Sequence, residues 1–450
     1  MEFKKVLEEI IRNTVEKITY SIQGDLLKKE LSFKEIVLKT QENVNSLGVS
    51  ILETITKELD DRYLQVRPKE VTIRHNLKKR TMLTSLGEIT LERRLYKNKE
   101  SNKCFFAIDE LLNIPRYSRV EQGLQARLLE RATKGSFGEA SRSINNKLSR
   151  QTIFNIVKKT KPIKYKFNEE KIEIPKIYIE ADEDHIHLNN GKPGEVRLVF
   201  VHEGREKVCK GRTSLKNPKY FTSIKKGDEI WENVSSYIYH KYNVRKAKLY
   251  LFGDGAEWIK TGLQYLPTAE FKLDKFHVVK SVTSACANRK DYAYQILKEI
   301  KNKDLFAVEQ LYSDLRKVRL PVTAINNSFF YIDNNFDEIS FLEQDKCSAE
   351  GHVSHVLSER MSSRPMGWSK KSAERIASLR AFLYNKGNFE DLIVGREKHI
   401  NVKEVKKRLL IESFDSCIDA PKTAKVVGLD GKITGTSVLL RQLFKDKKIF

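Results

Sequence analysis

The stretch LYLFGDGAEWIK, Leu249 to Lys260, passes from apolar, β-forming residues into a turn that sets Asp254 between Gly253 and Gly255. The apolar run reads as a buried strand, the glycines as a tight turn at its C-terminal end, and EWIK as the start of a helix. Taken alone, Asp254 reads as a turn residue or a helix N-cap. A second stretch alters the weighting. In IYIEAD, Ile177 to Asp182, the alternation puts Tyr178, Glu180 and Asp182 on one strand face and Ile177, Ile179 and Ala181 on the other.

The surrounding chain supplies an order of elements. KIYIEADEDHIHL, EVRLVFVHEG and EKVCKGRTSL read as three successive strands, IWENVSSYIYHKY as a helix and KAKLYLFGDG as a fourth strand. EWIKTGLQYL reads as a helix, AEFKLDKFH as a strand, and a long helical stretch runs from Val278 to Leu320. Three strands followed by alternating helix and strand predict an open mixed sheet. If its first and fourth strands are neighbours, Asp182 and Asp254 meet. Two carboxylates held close repel each other, and the arrangement is tolerated when a cation sits between them. Hard oxygen ligands favour Mg2+ or Mn2+. Gly253 and Gly255 would then let a metal-bound phosphate approach the backbone.

The charge is uneven. The chain of 450 residues has 83 Lys and Arg against 60 Asp and Glu, a net +23. Between Arg67 and Lys164 stand 23 basic and 9 acidic residues, so +14 falls in about a fifth of the chain. Clustering of that kind points to a polyanion partner, nucleic acid above all. VTIRHNLKKRTMLTSLGEITLERRLY, Val71 to Tyr96, reads as a strand pair turning at Leu86-Gly87-Glu88 and decorated by Lys78, Lys79, Arg80, Arg93 and Arg94. Those cations fit a phosphate-tracking face or a solvated edge. In SFGEASRSINNKLSRQTIFNIVKKT, Ser136 to Thr160, Ser136 and Ser149 are N-cap residues for two short helices. The pair reads as a helix-turn-helix, with Arg150, Gln151, Asn155, Lys158 and Lys159 on the outer face of its second helix, side chains suited to base edges and phosphates. Residues 1 to about 62 carry helical apolar spacing and read as a packing or self-association region.

Five scattered cysteines without a CxxC pair argue against a disulfide framework and a Cys-based zinc site. The opening MEFKKVLEEIIRN lacks a signal peptide's apolar core, and no run of about 18 apolar residues occurs. A cytoplasmic, non-membrane protein is expected.

With these residues in view, the chain resembles a family. The strand-helix order with Asp182 and Asp254 is similar to the RNase H-like core of DDE transposases. FKLDKFHVV carries Asp274 and His277 in the DxxH spacing of Mutator-type transposases, and a helical stretch follows as in that group's all-α insertion. CSAEGHVSHVLSERMSSRPMGWS, Cys347 to Ser369, resembles the signature of the ISLre insertion-sequence family of bacterial transposases. The resemblance runs from about Thr81 to Leu383. It implies a third acid after the insertion, for which Glu350 and Glu359 both qualify. Nine positions apart on a helix, they face opposite ways. The resemblance favours Glu350, while Glu359-Arg360 matches the ER pair of some Mutator-type elements. Asp274, His277, Arg360 and Arg364 are expected as accessory residues near the site.

The resulting expectation is an α/β protein with an RNase H-like mixed-sheet catalytic core, interrupted by an all-α insertion and preceded by helical and helix-turn-helix DNA-binding regions. The parts are an N-terminal helical region (1–65), basic strands with the helix-turn-helix (66–165), the first part of the core (172–277), the helical insertion (278–345), a closing helix (346–385) and a basic C-terminal region (386–450). The implied activity is cleavage at the transposon ends and strand transfer, with Asp182, Asp254 and Glu350 holding two Mg2+ or Mn2+ ions. The implied partners are double-stranded transposon-end and target DNA and at least one further copy of the chain. A DNA-binding regulator, a degenerate transposase and a nuclease without strand transfer are the alternatives.

Overall fold

A computed structural model describes residues 2–27, 32–163, 171–209, 212–224, 228–318, 320–341, 347–394 and 405. Most of the expected C-terminal basic region lies outside them. The chain divides into two compact units, Met1–Leu124 with Val394–Phe450, and Gln125–Ile393. No helix among the described residues is long and apolar enough to cross a membrane.

In the first unit, helices α1 (Glu2–Leu27) and α2 (Phe33–Val66) precede an antiparallel sheet of β1 (Val71–Leu83), β2 (Glu88–Asn98) and β3 (Cys104–Phe106), with the short α3 (Ala107–Leu111) after it. Ser32 and Glu35 form a capping box that starts α2. Along the two helices Val6, Val37 and Val44 remain exposed. The hairpin turns where the sequence predicts, closed by Thr84 Oγ1 donating to the Gly87 carbonyl at 2.8 Å.

Of the five cations that fitted either a phosphate-tracking face or a solvated edge, three are committed to acids within the unit. Arg93 is buried and donates to Asp109 at 2.5–2.6 Å, Arg80 also donates to Asp109, and Arg94 pairs with Asp60 and Asp61. Asp60 and Asp109 are each 1% exposed. A buried carboxylate without a partner costs several kcal/mol, and these arginines answer that cost instead of meeting solvent. Lys78 and Lys79 are exposed, and Lys79 leans on Glu92 at 3.1 Å.

The division falls inside α4 (Gln122–Lys134). The second unit continues with α5 (Phe137–Arg142) and α6 (Arg150–Lys158), so these two helices group with the α/β core and the basic strands group with the N-terminal helices. The division thus falls within the expected span 66–165. Ser136 forms a capping box with Glu139, and the Ser149 side chain accepts from the Thr152 N–H, as the sequence predicts.

The large sheet contains β4 (Lys176–Leu188), β5 (Pro193–His202), β8 (Lys219–Ser223), β9 (Lys248–Gly253) and β10 (Ala269–Leu273), in the order β10-β9-β4-β5-β8. β4 runs parallel to β9 and β9 to β10; β5 is antiparallel to both β4 and β8. The fold is thus α/β with a mixed sheet, and the first and fourth strands of the sequence reading are neighbours. The third is different. In its place a separate two-stranded ribbon pairs β6 (Arg205–Cys209) with β7 (Arg212–Leu215), and KYFTS takes the third place in the sheet as β8. Five residues with only Tyr220 and Phe221 buried carry too little pattern to stand out.

One face of the sheet buries Ile177, Ile179, Ala181, Val199 and Leu251 against α7 (Glu229–Lys241), α10 (Lys275–Cys286) and the helices that follow, α11 (Lys290–Asn302), α12 (Leu305–Lys317) and α13 (Val322–Asp333). Between β9 and β10 the expected helix breaks at Thr261 into α8 (Glu257–Lys260) and α9 (Gly262–Tyr265). The other face carries α14 (Ala349–Val353), a π-turn over Ser354–Ser358, α15 (Glu359–Met361) and α16 (Lys370–Tyr384), with the short β11 (Gly367–Trp368) beside β4.

Arg93→Ala leaves Asp109 buried with less than its full set of partners. Chemical denaturation of the variant is expected to show about 3–5 kcal/mol lost from the transition of the first unit. Lys78→Ala, at an exposed position, is expected to change it by less than about 0.5 kcal/mol.

Candidate functional site

β4 and β9 pair in parallel from Lys176 opposite Lys248 to Glu180 opposite Phe252. Two residues further on, the chains reach Asp182 and Asp254. There β9 ends at Gly253, and on that side β4 next meets a described strand at His187, opposite Gly367. Asp254 and Asp274 follow the C-terminal ends of two adjacent parallel strands, the place where open α/β sheets bind ligands.

A carboxylate oxygen of Asp182, one of Glu350 and a ring nitrogen of His277 lie within 4.8 Å of one another. Glu350 arrives on the first turn of α14, and His277 on the first turn of α10. Asp182 is 7% exposed. Its Oδ1 accepts from the Glu183 N–H at 2.8 Å, while Oδ2 is buried without a hydrogen-bond partner among the described residues. Burial pushes its pKa up to about 7, and the charges of Glu350 and Asp254 push the same way. Two like charges about 5 Å apart repel by ~3 kcal/mol at an effective dielectric constant of about 20. Asp182, Glu350 and His277 could each give a ligand atom to a divalent cation, with Asp254 alongside.

Asp254 is held as a turn residue and is also part of this electrostatic cluster. Its Oδ1 accepts from the Ala256 N–H at 2.9 Å, and its carbonyl accepts from Tyr331 Oη at 2.8 Å. Gly255 has φ +91°, and a Cβ there would stand 2.9 Å from Asn335 Oδ1. Gly253 serves packing. A Cβ at that position would meet Ile259 at 2.7 Å, so the space left by this glycine is filled by a side chain and not open to a phosphate.

Asp274 caps α10 through a 3.1 Å bond from the Phe276 N–H, and its Oδ2 stands 3.8 Å from His277 Nε2. Its own N–H donates to the Gly253 carbonyl at 2.8 Å, which ties the DxxH turn to the GDG turn.

The two candidates for the third acid separate. Glu350 faces Asp182, whereas Glu359 is exposed and accepts from Arg380 at 2.9 Å. Arg360 and Arg364, expected near the acids, are committed elsewhere. Arg360 is buried, donates to the Ala132 carbonyl and lies over the rings of Phe137 and Trp368. Arg364 is exposed and pairs with Glu139 at 3.6 Å. Both therefore bind α4 and α5, and neither sits among the carboxylates. His352 accepts or donates at Tyr220 Oη, 3.0 Å away, and burial lowers its pKa to about 4. On α6, Arg150, Gln151, Asn155, Lys158 and Lys159 are all exposed, and Gln151 donates to Asn155 at 3.2 Å.

Sequence reasoning did not assign a role to Glu180 or Asp184, which are buried on Asp182's own strand face and bond to the segment carrying Glu350. The signal was present as the alternation of acids against Ile177, Ile179 and Ala181.

The profile of an uncharacterised protein family, UPF0236, matches residues 26–398. The UPF0236 protein TTE0402 of Caldanaerobacter subterraneus subsp. tengcongensis is 35% identical over 419 residues, covering 90% of this chain and 85% of the relative. A second protein of that organism, whose name joins eleven locus labels from TTE0033 to TTE2212, is 34% identical over 419 residues, covering 90% of this chain and 89% of its own length. Among solved structures, a chain of the simian T-cell lymphotropic virus intasome in complex with PP2A regulatory subunit B56 gamma matches with a TM-score of 0.14 and 13% identity, over 55% of this chain and 78% of that one. A superposition at that level carries no weight.

Asp182 has a folded-state pKa above its unfolded value, so the cost of ionising it is absent at low pH and grows as pH rises from about 4 through 7. Without metal, Asp182→Asn is expected to melt higher than wild type at pH 8, by about 1.4 kcal/mol per unit of pKa shift relieved. The difference should vanish near pH 4. Thermal unfolding across that pH range in chelator measures it.

Proposed function

The chain belongs to the UPF0236 family, and we propose that it is a DNA transposase of a bacterial insertion sequence, acting in the cytoplasm on the ends of its own element. The observation that carries this reading is the convergence of Asp182, Glu350 and His277 beside Asp254, brought from four distant segments to the C-terminal ends of parallel strands. The strand order β10-β9-β4-β5-β8, with β5 alone antiparallel to its neighbours, is the order an RNase H-like core would have. A relative carried at eleven labelled loci of one genome is what a mobile element would leave behind.

The residues fit a divalent cation. One oxygen of a nearly buried carboxylate lacks a partner, and the surrounding donors are carboxylates and an imidazole. Asp182, Asp254 and Glu350 would hold two Mg2+ or Mn2+ ions, with His277 in reach of one. Bound there, such ions would supply positive charge to the attacking and leaving oxygens of phosphoryl transfer. The protein's own part is positional. The GDG turn fixes the Asp254 backbone through Tyr331 and Asn335, and Asp274 fixes the turn from which His277 projects. The exposed polar and basic row on α6 would meet duplex DNA, and synapsis of two ends requires at least two copies of the chain.

Metal-dependent nicking of DNA bearing the element's ends tests the reading. Asp254→Asn and Glu350→Gln are each expected to lower nicking and joining at least 100-fold while leaving DNA binding near wild type. Glu359→Gln should leave nicking within about threefold. Asn serves a turn as well as Asp does, so wild-type activity in Asp254→Asn would remove the ligand role. Binding without nicking in the wild type would favour a regulator or a degenerate enzyme.

On the DNA side, Lys158→Ala is expected to weaken all duplexes alike and reduce the slope of log affinity against log salt by about one. Arg150→Ala should narrow the preference for end sequences over others. Competition binding at several salt concentrations measures both.

A further inference from the structure

Asp182 is the middle member of three acids, Glu180, Asp182 and Asp184, that share one face of β4 and are each at least nine-tenths buried. The outer two are turned to a purpose the triad does not use. Glu180 Oε2 accepts from the Ser348 N–H at 2.5 Å and from Ser348 Oγ at 2.9 Å, with Cys347 Sγ at 3.5 Å. Its Oε1 accepts from Arg205 at 3.1 Å and bonds His202 Nε2 at 3.0 Å. Arg205 also donates to Ser348 Oγ at 3.1 Å, which closes the network on the residue just before α14. Asp184 Oδ1 accepts from Ser358 Oγ and Ser362 Oγ, each at 2.9 Å.

The two acids thus hold the opposite ends of one segment, 348–362, and Glu350 lies between the grips. We infer that Glu180 and Asp184 are positioning residues that clamp this segment onto β4 and thereby set Glu350 opposite Asp182. The chemistry suits the task. Carboxylates aligned two residues apart on a strand stand about 7 Å from each other, a spacing fixed by the backbone. Hydrogen bonds to a charged acceptor are stronger and more directional than neutral ones. A helix docked only by Val353, Val356 and Leu357 could slide along an apolar surface, whereas a segment pinned at both ends cannot. The inference rests on the proposed metal-dependent function, in that the positioned residue is a proposed ligand.

The test uses the full chain and variants that remove hydroxyls, Ser348→Ala alone and Ser358→Ala with Ser362→Ala, because Glu180→Gln risks misfolding beside His202 and Arg205. Three readouts are taken: global melting, backbone hydrogen exchange of residues 348–362 without metal, and Mn2+ binding by electron paramagnetic resonance. The expected result is faster exchange confined to 348–362 at an unchanged melting temperature, and a Mn2+ half-saturation raised about tenfold, the usual effect of losing a group that orients a ligand. Glu350→Gln serves as the control that loses Mn2+ without faster exchange. Unchanged exchange in both serine variants overturns the clamp. Faster exchange with wild-type Mn2+ affinity overturns positioning and leaves a structural tether only. Faster exchange in a protein whose wild type binds no Mn2+ supports the clamp and overturns the functional reading instead.

Discussion

A strand that buries three carboxylates on one face must find an answer for each of them, and the second unit is arranged around those answers. Glu180 is met by donors from the β5–β6 turn and from the start of the closing segment, and although burial opposes its charge, His202, the Ser348 N–H and Arg205 bring its pKa below the ordinary value. Asp184 is met by two serine hydroxyls, and burial leaves its pKa raised. Asp182 and Asp184 each keep one buried oxygen without a partner among the described residues. The difference lies in the partners. A neutral hydroxyl relieves part of the desolvation cost and a guanidinium relieves more, while Asp182 faces two further acids. What sets Asp182 apart is that a Glu350 oxygen and a His277 ring nitrogen lie within 4.8 Å of its own oxygen, so that a cation there would remove the cost.

The same constraint shapes the segment laid over β4. Its π-turn at Ser354–Ser358 departs from the regular helical hydrogen-bond pattern, and the carbonyls of His355 and Val356 are taken up by Arg380, with Tyr384 Oη also donating to His355 at 2.9 Å. Arg380 is almost wholly buried and reaches the Thr133 carbonyl as well. Arg360, on α15, donates to the neighbouring Ala132 carbonyl. Arg380 has the Glu359 carboxylate at 2.9 Å, whereas for Arg360 burial together with Arg380 draws the pKa down to about 10. Their donation to the Ala132 and Thr133 carbonyls joins α4 to the closing segment of the same unit.

Much of this was legible in residues, and the misses share a cause. Alternation in IYIEAD separated the acidic face from the apolar face, and the glycines around Asp254 marked the end of a buried strand. The serines at 136 and 149 gave helix starts because capping is local chemistry. Glu350 and Glu359 could be told to face apart, though not which one faces Asp182. Partners were what the sequence could not name. Arg93 and Arg360 looked available for a phosphate or a site because nothing nearby in sequence reveals Asp109 or the Ala132 carbonyl. Gly253 looked like room for a ligand until Ile259 was found in that room. KYFTS does not stand out as a strand because a five-residue strand is chosen by its neighbours rather than by its own pattern.

The helical insertion is where these points combine. Counted along the chain, Glu350 follows His277 by 73 positions and Asp254 by 96, and the insertion could be taken for an appendage tolerated by the core. Its last helix argues otherwise. Tyr331 on α13 donates to the Asp254 carbonyl, and Asn335, just beyond that helix, accepts from Lys260 at 2.8 Å while its side-chain oxygen occupies the volume that a Cβ on Gly255 would need. The left-handed turn at Gly255 is thus held from outside by the insertion, and the apolar faces of α10, α12 and α13 join the same core cluster as Ile179 and Leu251. The chain just after α13 also bonds β10, the Leu273 N–H donating to the Glu338 carbonyl at 3.0 Å. The geometry of Asp254 therefore depends on a segment with no acid of its own in the site, just as that of Glu350 depends on Glu180 and Asp184. Each of the proposed ligands is placed by a different part of the unit, and only the complete fold brings them within reach of one another.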